Sequence, residues 1–505
     1  LIRHHHNTIL LERSDHLAIG ELRSLIDLCE ASNLKLVCAC DFPLDGDSAE
    51  MTHYIEERIA PFSAAAGILA WTFSNPPEET ELLAAIEARQ HVENVDKKHP
   101  LIYIGTPGQA YPLFAPFFAV SGQAFDGSHA PWDMGRMVAQ HKPLAKGSHF
   151  WAVGPSYVGA SGSPEWSSCP EFRLMVNLAV ANGARGWFSY LYHNDPFWMG
   201  GSVQRSLTGP FMTFSDLWAE LDSRMMRIFA VAPLLLPTRP APLPKDWYVA
   251  YHADEEQSIL PDGVPSISSF RLRGADYNFY IIINNDVRGM SSIETSIPED
   301  GLHGHEIYDV TDFLQEREMH PMDRQRHVEM FPGQIRTVLV APKEVCLRIR
   351  DEVSKVLIDD DERQLSFNVK LAEAHGRDTG PVKELIDKAR HHDDAIMALE
   401  LMDRAHDEMV NLIYSSDEIR VARNHIIEAS AAVCACDGTL CRLIGRGHLE
   451  QAENLGLKLV PLARELTNLR VALRQGRGAE IRIQSADVLA RTLELLDEYR
   501  EAAGQ

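Results

Sequence analysis

Apolar residues in the first 230 positions fall in short runs, and most of these runs are separated by helical stripes. The runs that predict strands are residues 7–11, 34–40, 67–73, 101–105, 117–120, 150–153 and 186–191. The clearest stripes, with apolar side chains at steps of three and four, are residues 21–31, 49–60, 79–95 and 211–230. Strands that alternate with helices at this spacing predict a parallel sheet.

Residues 149–198 are the most informative stretch. A strand-like run ends at Gly154-Pro155, and a Ser- and Gly-rich loop leads to a helix that begins at Pro170 and ends at Asn182-Gly183. Proline suits a first helical turn, and glycine suits the left-handed residue after a helix. The next run ends in polar and aromatic residues. In (β/α)8 barrels the working site lies at the carboxyl ends of the strands.

The segment PEFRLMVNLAVANGARGWFSYLYH, residues 170–193, resembles the last helix and strand of glycoside-hydrolase-like TIM barrels, relatives of β-galactosidases and cellulases. The resemblance implies an α/β fold with a (β/α)8 barrel. Counting back from residues 186–191 as strand eight makes residues 7–11 strand two. We therefore expect a barrel that lacks its first strand, in a chain truncated upstream. The alternative is a barrel that closes with fewer strands.

Three further segments follow the barrel, which is assigned to residues 1–232. Residues 233–246 are rich in proline and predict a stiff extended linker. Residues 247–342 change to short alternating runs with polar turns and predict an antiparallel β-sandwich, like those that follow glycosidase barrels. Residues 343–505 carry helical spacing nearly throughout and predict an α-helical bundle of five or six helices.

Composition narrows the classes of partner. The chain has 505 residues and a net charge of −24, which argues against nucleic acid and anionic membranes as partners. No apolar run approaches the roughly 20 residues that span a bilayer. Eight scattered cysteines do not predict a disulfide scaffold. We expect no cofactor and no metal site, and we interpret His4-His5-His6 and residues 391–394 as solvated side chains. The residues do not indicate a cellular compartment. Only the resemblance favours an extracellular or periplasmic protein.

The resemblance implies two carboxylates at the ends of strands four and seven, because glycoside hydrolysis needs an acid on each side of the bond. Here those ends read Ser74-Asn75-Pro76 and Pro155-Ser156-Tyr157, with no acid. The remaining catalytic candidates are Glu78, just beyond strand four, and Glu165, in the loop after strand seven. A carboxylate in a first helical turn is the alternative for Glu78.

Polar and aromatic residues near the strand ends are candidates for substrate binding. Sugar rings stack on aromatic side chains while their hydroxyls form hydrogen bonds. The candidates are Asp41, Asn75, Asp126, Trp132, Trp151, Tyr157, Trp166, Tyr192, His193 and Asp195. The alternatives are turn or cap roles for the aspartates, a structural role for the histidine, and core packing for any single tryptophan.

The resemblance, together with these candidate residues, implies a glycoside-hydrolase-like protein that acts on or binds a carbohydrate at the carboxyl face of the barrel. Hydrolysis of an O-glycosyl bond requires two of the candidate acids to meet. The alternative is a catalytically degenerate carbohydrate-binding or scaffold protein. In that alternative the helical segment is an assembly domain, through which the chain would self-associate.

Overall fold

The fold is known from a computed structural model of the 505-residue chain. The structure describes residues 6–12, 14–105, 117–121, 130–142, 149–156, 158–159, 167–190, 203–205, 207, 216–245, 247–251, 259–260, 263–296, 305–311, 319–323, 325–445 and 447–503.

The first part of the chain is built on a parallel sheet. Its strands in chain order are β1 (Thr8–Leu11), β2 (Lys35–Cys40), β3 (Ile68–Phe73), β4 (Leu101–Gly105), β5 (Phe117–Ser121), β6 (His149–Pro155), β7 (Val158–Gly159), β8 (Gly186–Tyr190) and β9 (Val203–Arg205). Seven of them form one sheet in the order β1-β2-β3-β4-β5-β6-β8, and every neighbouring pair is parallel. The short strands β7 and β9 pair separately. The seven predicted strands are therefore present, in sequence order.

Helices cover one face of this sheet. They are α1 (Ile19–Ala31), α2 (Ser48–Arg58), α3 (Leu82–Val95), α4 (Asp133–His141), α5 (Cys169–Ala181), α6 (Asp216–Ala230) and α7 (Ala232–Leu235). Leu36, Cys38 and Trp71 pack outward in the large core formed with the helices. Val37, Ala70 and Ile102 belong to a separate inner cluster. Successive side chains of a strand point to opposite faces of the sheet, so alternate residues of the same strand belong to different cores.

The two edge strands converge on the inner cluster. Leu10 of β1 and Phe188 of β8 both pack against it, which indicates that the sheet curves strongly. Among the described residues, β1 pairs only with β2 and β8 only with β6, so barrel closure by hydrogen bonds is not seen. Two residues before β1, the ring of His6 stacks on Trp218 of α6, with ring centroids 5.2 Å apart. Helix α6 therefore contacts the start of the edge strand.

Two glycines make room for indole rings between β6 and β8. A Cβ atom on Gly154 would lie 2.1 Å from the ring of Trp187, and one on Gly186 would lie 2.5 Å from the ring of Trp151. Real Cβ atoms do not approach other atoms so closely, so a larger residue at either position would displace an indole. The tight pairing of β6 with β8 thus depends on these glycines.

The proline-rich segment differs from the extended linker that its composition predicts. Helix α7 overlaps its first residues, and β10 (Arg239–Ala241) is an edge strand paired with a strand of the following sheet. Proline lacks an N–H donor and is tolerated on an edge strand, where one side of the ladder is unpaired. The segment thus contains regular structure on both sides of residue 237.

Two antiparallel sheets follow. Their strands are β10, β11 (Tyr248–Tyr251), β12 (Ile267–Arg273), β13 (Asn278–Asn284), β14 (Ser291–Ser296), β15 (His305–Thr311), β16 (His320–Pro321), β17 (Gln325–Met330) and β18 (Ile335–Pro342). The sheet orders are β10-β12-β13-β18-β15-β16 and β11-β14-β17. Ile267 and Ile282 of the first sheet share a buried cluster with Ile293 and Val328 of the second. Apolar packing therefore joins the sheets.

Helix α8 (Lys343–Ala374) begins directly after β18 and connects the sheets to the rest of the chain. Its first turns, with Val345 and Ile349, share a core with Leu174 of α5 and Phe279 of β13. Its later turns, from Ile358, enter a second core with the helices that follow. One continuous helix thus contributes to both cores.

The remaining chain is helical, as its periodicity predicts. The helices are α9 (Gly380–Arg390), α10 (Ala395–Tyr414), α11 (Asp417–Gly445), α12 (Leu449–Arg474) and α13 (Gly478–Ala503). They divide between two cores, one formed mainly by α8, α9 and α10 and the other by α11, α12 and α13. No helix in the described parts of the chain is long and apolar enough to cross a membrane.

A buried hydrogen-bond network lies at the amino end of the parallel sheet. Asp96, after α3, accepts hydrogen bonds from Trp71 Nε1 at 2.9 Å, His99 Nδ1 at 2.8 Å and two backbone N–H groups. Burial opposes ionisation of this carboxyl group, but the bonds from His99 and Trp71 hold its pKa below the usual value. The charged form of Asp96 is therefore favoured in the folded protein.

Replacement of Gly154 tests the glycine–indole packing. Gly154→Ala places a methyl group against Trp187, so we expect it to lower the free energy of unfolding by about 1–3 kcal/mol in urea denaturation. The matched control is Gly20→Ala. Gly20 lies exposed in α1 with no atom within 4 Å of a new Cβ, so this change should be neutral or stabilising by up to about 1 kcal/mol. Equal effects of the two changes would contradict the packing described.

Asp96→Asn tests the buried network and its pH dependence. The amide turns its NH2 group toward Trp71 or His99, so we expect a loss of roughly 2–3 kcal/mol of unfolding free energy at pH 7. A carboxyl group with a lowered folded pKa stabilises the fold above its unfolded pKa of about 3.9, and this contribution disappears as the pH falls through the lower folded value. Wild type and variant should therefore converge in stability below about pH 4. A difference that is constant with pH would count against an ionised Asp96.

Candidate functional site at the carboxyl ends of the parallel strands

Asp41 and Asn75 follow neighbouring strands at the same edge of the parallel sheet. Cys40 at the end of β2 is in register with Phe73 at the end of β3, and the backbone N–H of Ser74 donates to Cys40 O at 2.9 Å. Asp41 and Asn75 are both exposed. The strand register thus brings a carboxylate and an amide to adjacent positions.

Three hydroxyl groups at the same edge have no hydrogen-bond partner within the described structure. They belong to Thr72, the second-last residue of β3, to Ser74 just after β3, and to Ser156 just after β6. Thr72 and Ser156 are each only 1% exposed. Buried hydroxyls are nearly always hydrogen-bonded, so unpaired ones mark positions where water or a ligand can supply the partner.

The position of Asp41 is fixed by Asp15, a residue that the sequence analysis missed. The Asp15 carboxylate accepts hydrogen bonds from the backbone N–H of Asp41, from Tyr54 Oη at 2.7 Å and from Arg58 Nε at 2.9 Å. Burial, together with nearby Cys40 and Asp15, raises the pKa of Tyr54. Tyr54 therefore stays a neutral donor. The only sequence signal was the polar run Ser14-Asp15-His16 after the first strand.

Glu78 is exposed at the start of a 3-10 helix, Glu79–Glu81, and its backbone N–H donates to the Glu81 carboxylate at 2.8 Å. This placement matches the alternative interpretation as a carboxylate at a helix start. Glu171 also belongs to a helix start, because its carboxylate accepts from the Ser168 backbone at 2.7 Å in a capping box.

The structure places Trp151 away from the strand ends, which corrects its assignment to substrate binding. Trp151 is in register with Gly186, the first residue of β8, and contacts Phe188 with ring centroids 5.4 Å apart. It lies four residues before Pro155 in β6, or about 13 Å at the usual rise of a strand. The indole fills the inner cluster near the amino end of the sheet, because Gly186 leaves space for it there.

Trp132 lies at the residue before α4 and is half-buried. It packs against the core that α5 shares with the six-stranded sheet. This contact gives the indole a packing role, which was the alternative interpretation for any single tryptophan.

The other predicted site residues lie outside the described residues. They are Asp126, Tyr157, Glu165, Trp166, Tyr192, His193 and Asp195. Tyr190, two residues before Tyr192, is half-buried at the end of β8, and its carbonyl accepts the N–H of Ser156. The ends of β6 and β8 are thus joined directly.

The described part of the edge is polar but carries little acid. Asp41 is the carboxylate that directly follows a strand there with its side chain exposed, Asp15 is hydrogen-bonded by three donors, and Glu78 stands further along the chain. Among the described residues, no group of three or more His, Cys, Asp or Glu side chains could hold a metal ion. The arrangement can form several hydrogen bonds to a hydroxyl-rich ligand.

Comparison with known proteins gives structural similarity without sequence similarity. No protein-family model and no curated protein matches the chain. Among solved structures, it is similar to a glycoside hydrolase at 12% identity and a TM-score of 0.46, covering 68% of this chain and 87% of that one. A family 5 glycoside hydrolase from Bacteroides vulgatus is similar at 11% identity and 0.46, covering 64% and 74%.

An α-galactosidase I from Mortierella vinacea is similar at 11% identity and a TM-score of 0.41, covering 66% of this chain and 87% of that one. These similarities are limited to the course of the chain. At such identities and scores they carry no information about substrate or chemistry.

Proposed function

We propose that this chain is a glycoside-hydrolase-like protein that binds a carbohydrate at the carboxyl ends of its parallel strands. The observation that carries the proposal is the meeting of exposed Asp41 and Asn75 with the unpaired hydroxyls of Thr72 and Ser74 at one edge of the sheet. Carbohydrates present many hydroxyls, each a donor and an acceptor, and such an edge complements them.

The rest of the binding face is proposed from the sequence. Asp126, Tyr157, Trp166, Tyr192, His193 and Asp195 follow strands of the same sheet and would surround the same space. Tyrosine and tryptophan would supply apolar platforms for the sugar ring, while the aspartates and the histidine would bind its hydroxyls. Strand order supports this, because consecutive parallel strands end at the same edge.

The proposed architecture has three parts. The curved parallel sheet and its helices would form a (β/α) barrel, the two antiparallel sheets a β-sandwich, and helices α8–α13 a bundle available for self-association. The packing of both edge strands on the inner cluster supports the barrel. The cluster shared by the two antiparallel sheets supports the sandwich.

The residues at the strand ends favour binding of a carbohydrate without its hydrolysis. Where a barrel hydrolase would need acids, β3 is followed by Ser74-Asn75 and β6 ends at Pro155, followed by Ser156. An amide and a hydroxyl bind sugars but do not protonate a glycosidic oxygen or act as its carboxylate nucleophile. The competing proposal is hydrolysis with Glu78 and Glu165 as the two carboxyl groups.

A glycan array followed by titration of the best ligand tests the binding proposal. We expect Asp41→Asn and Asn75→Ala each to weaken binding by roughly tenfold, because each removes a hydrogen bond to a ligand hydroxyl. The control is Asp27→Asn, which makes the same charge change on the exposed surface of α1 and should leave affinity unchanged. The proposal fails if no glycan binds, or if the control weakens binding as much as the site variants.

A hydrolysis assay with the bound glycan separates binding from catalysis. We expect no release of reducing sugar by the wild-type chain, and unchanged glycan affinity in Glu78→Gln and Glu165→Gln, because hydrolysis requires a correctly spaced pair of carboxyl groups. Sugar release that is abolished in both variants would establish the hydrolase instead. The normal fold of each variant is checked by circular dichroism.

A further inference from the structure

A group of basic side chains lies at the opposite, amino end of the parallel sheet. Lys142 directly follows α4, Arg185 immediately precedes β8, and Arg239 begins β10. Arg273, at the end of β12, is the residue directly opposite Arg239 across the antiparallel pair. These residues come from four separate segments that meet where the parallel sheet joins the six-stranded sheet.

Direct contacts bring these segments together. Lys142 Nζ donates to Gly183 O at 2.8 Å, and Arg185 Nη2 donates to Thr238 O at 2.7 Å, one residue before Arg239. The side chains of Lys142 and Pro240 both press against Gly183, whose φ of +97° is accessible to glycine at little cost. A Cβ at Gly183 would lie 2.7 Å from Lys142 and 2.8 Å from Pro240.

None of the four cations forms an ion pair with a carboxylate in the described parts of the chain. The hydrogen bonds of Lys142 and Arg185 go to backbone carbonyls and the Thr238 hydroxyl. Asp276, on the turn between β12 and β13, is paired with Arg348 of α8 at 2.9 Å. In a chain of net charge −24, four neighbouring cations that form no ion pair in the described parts of the chain give this junction a locally positive charge.

Two features of this arrangement are unfavourable for the positive charges, namely like charges on paired strands and burial. Like charges directly opposite each other on paired strands are destabilising, and Arg239 and Arg273 occupy such positions. Burial, with Arg185 and Arg239 nearby, lowers the pKa of Lys142 to about 8. Burial likewise lowers the pKa of Arg185 to about 10. A bound negative charge would relieve each of these effects.

We propose that Lys142, Arg185 and Arg239, with Arg273 beside them, form a binding site for a compact oxyanion carried by a small ligand. The ammonium group of Lys142 has two further N–H donors after its bond to Gly183, and the exposed side chain of Arg239 has five. Charge-assisted hydrogen bonds from these groups to phosphate, sulfate or carboxylate oxygens are of the strong kind. The site is separate from the proposed carbohydrate face, which lies at the other end of the strands.

Calorimetric titration of the full chain at constant ionic strength tests the site. Sulfate probes tetrahedral oxyanions and acetate probes carboxylates. Saturable binding of either anion supports the proposal and shows which class of oxyanion the site accepts. Lys142→Met, which keeps the packing on Gly183, and Arg239→Ala, on an exposed edge strand, should each weaken binding roughly tenfold. Lys370→Ala removes an exposed cation of α8 and should have no effect.

The pH dependence separates binding at Lys142 from a merely structural role. Sulfate does not titrate between pH 7 and 9.5, and the anion binds the charged lysine, so affinity should fall as pH rises through the Lys142 pKa of about 8. Net proton uptake on binding should appear near pH 8.5 in the wild type and vanish in Lys142→Met.

Among the other groups around the cluster, Arg185, with a pKa of about 10, begins to titrate only at the top of this range. Burial lowers the pKa of His141, and burial with Asp276 raises the pKa of Tyr277 to about 12. The proposal is overturned if the wild type shows no saturable binding of either anion, or if both site variants bind like the wild type.

Discussion

The structure depends on one apolar core that is shared by three parts of the chain. Leu174 and Leu178 of α5, Phe279 and Ile281 of β13, and Val345 and Ile349 of α8 all belong to it. Burial of such side chains is the dominant favourable term in folding, and it is strongest where several elements exclude water together. The parallel sheet, the six-stranded sheet and the helical region are therefore held in one arrangement rather than joined by free linkers.

Polar contacts give this shared core its specific alignment. Arg173 of α5 binds Glu220 of α6 through two hydrogen bonds of 2.7 and 2.8 Å, and donates to Pro332 O on the turn before β18. Asn177 donates to Gly333 O on the same turn. Apolar packing tolerates sliding more readily than directional hydrogen bonds do. The turn at Pro332-Gly333 is thereby fixed against α5, the helix that leads into β8.

The two ends of the parallel sheet differ in charge and in how their residues are held. At the carboxyl end, Asp15 fixes the backbone at Asp41, and several hydroxyls have no partner within the described structure. At the amino end, a buried aspartate network and a group of cations lie close to the strand starts. An edge with unused hydrogen-bonding groups suits a neutral polar ligand, whereas an edge with unpaired cations suits an anion.

The sequence by itself determined the seven parallel strands, the limits of α5 and the helical character of the last third. These features follow from local signals, namely apolar periodicity, a proline at a helix start and a glycine after its end. Only the tertiary structure decided that Trp151 fills the sheet interior, that Asp15 holds Asp41, and that residues 239–241 form an edge strand. Each of these depends on contacts between residues distant in the chain, which periodicity does not record.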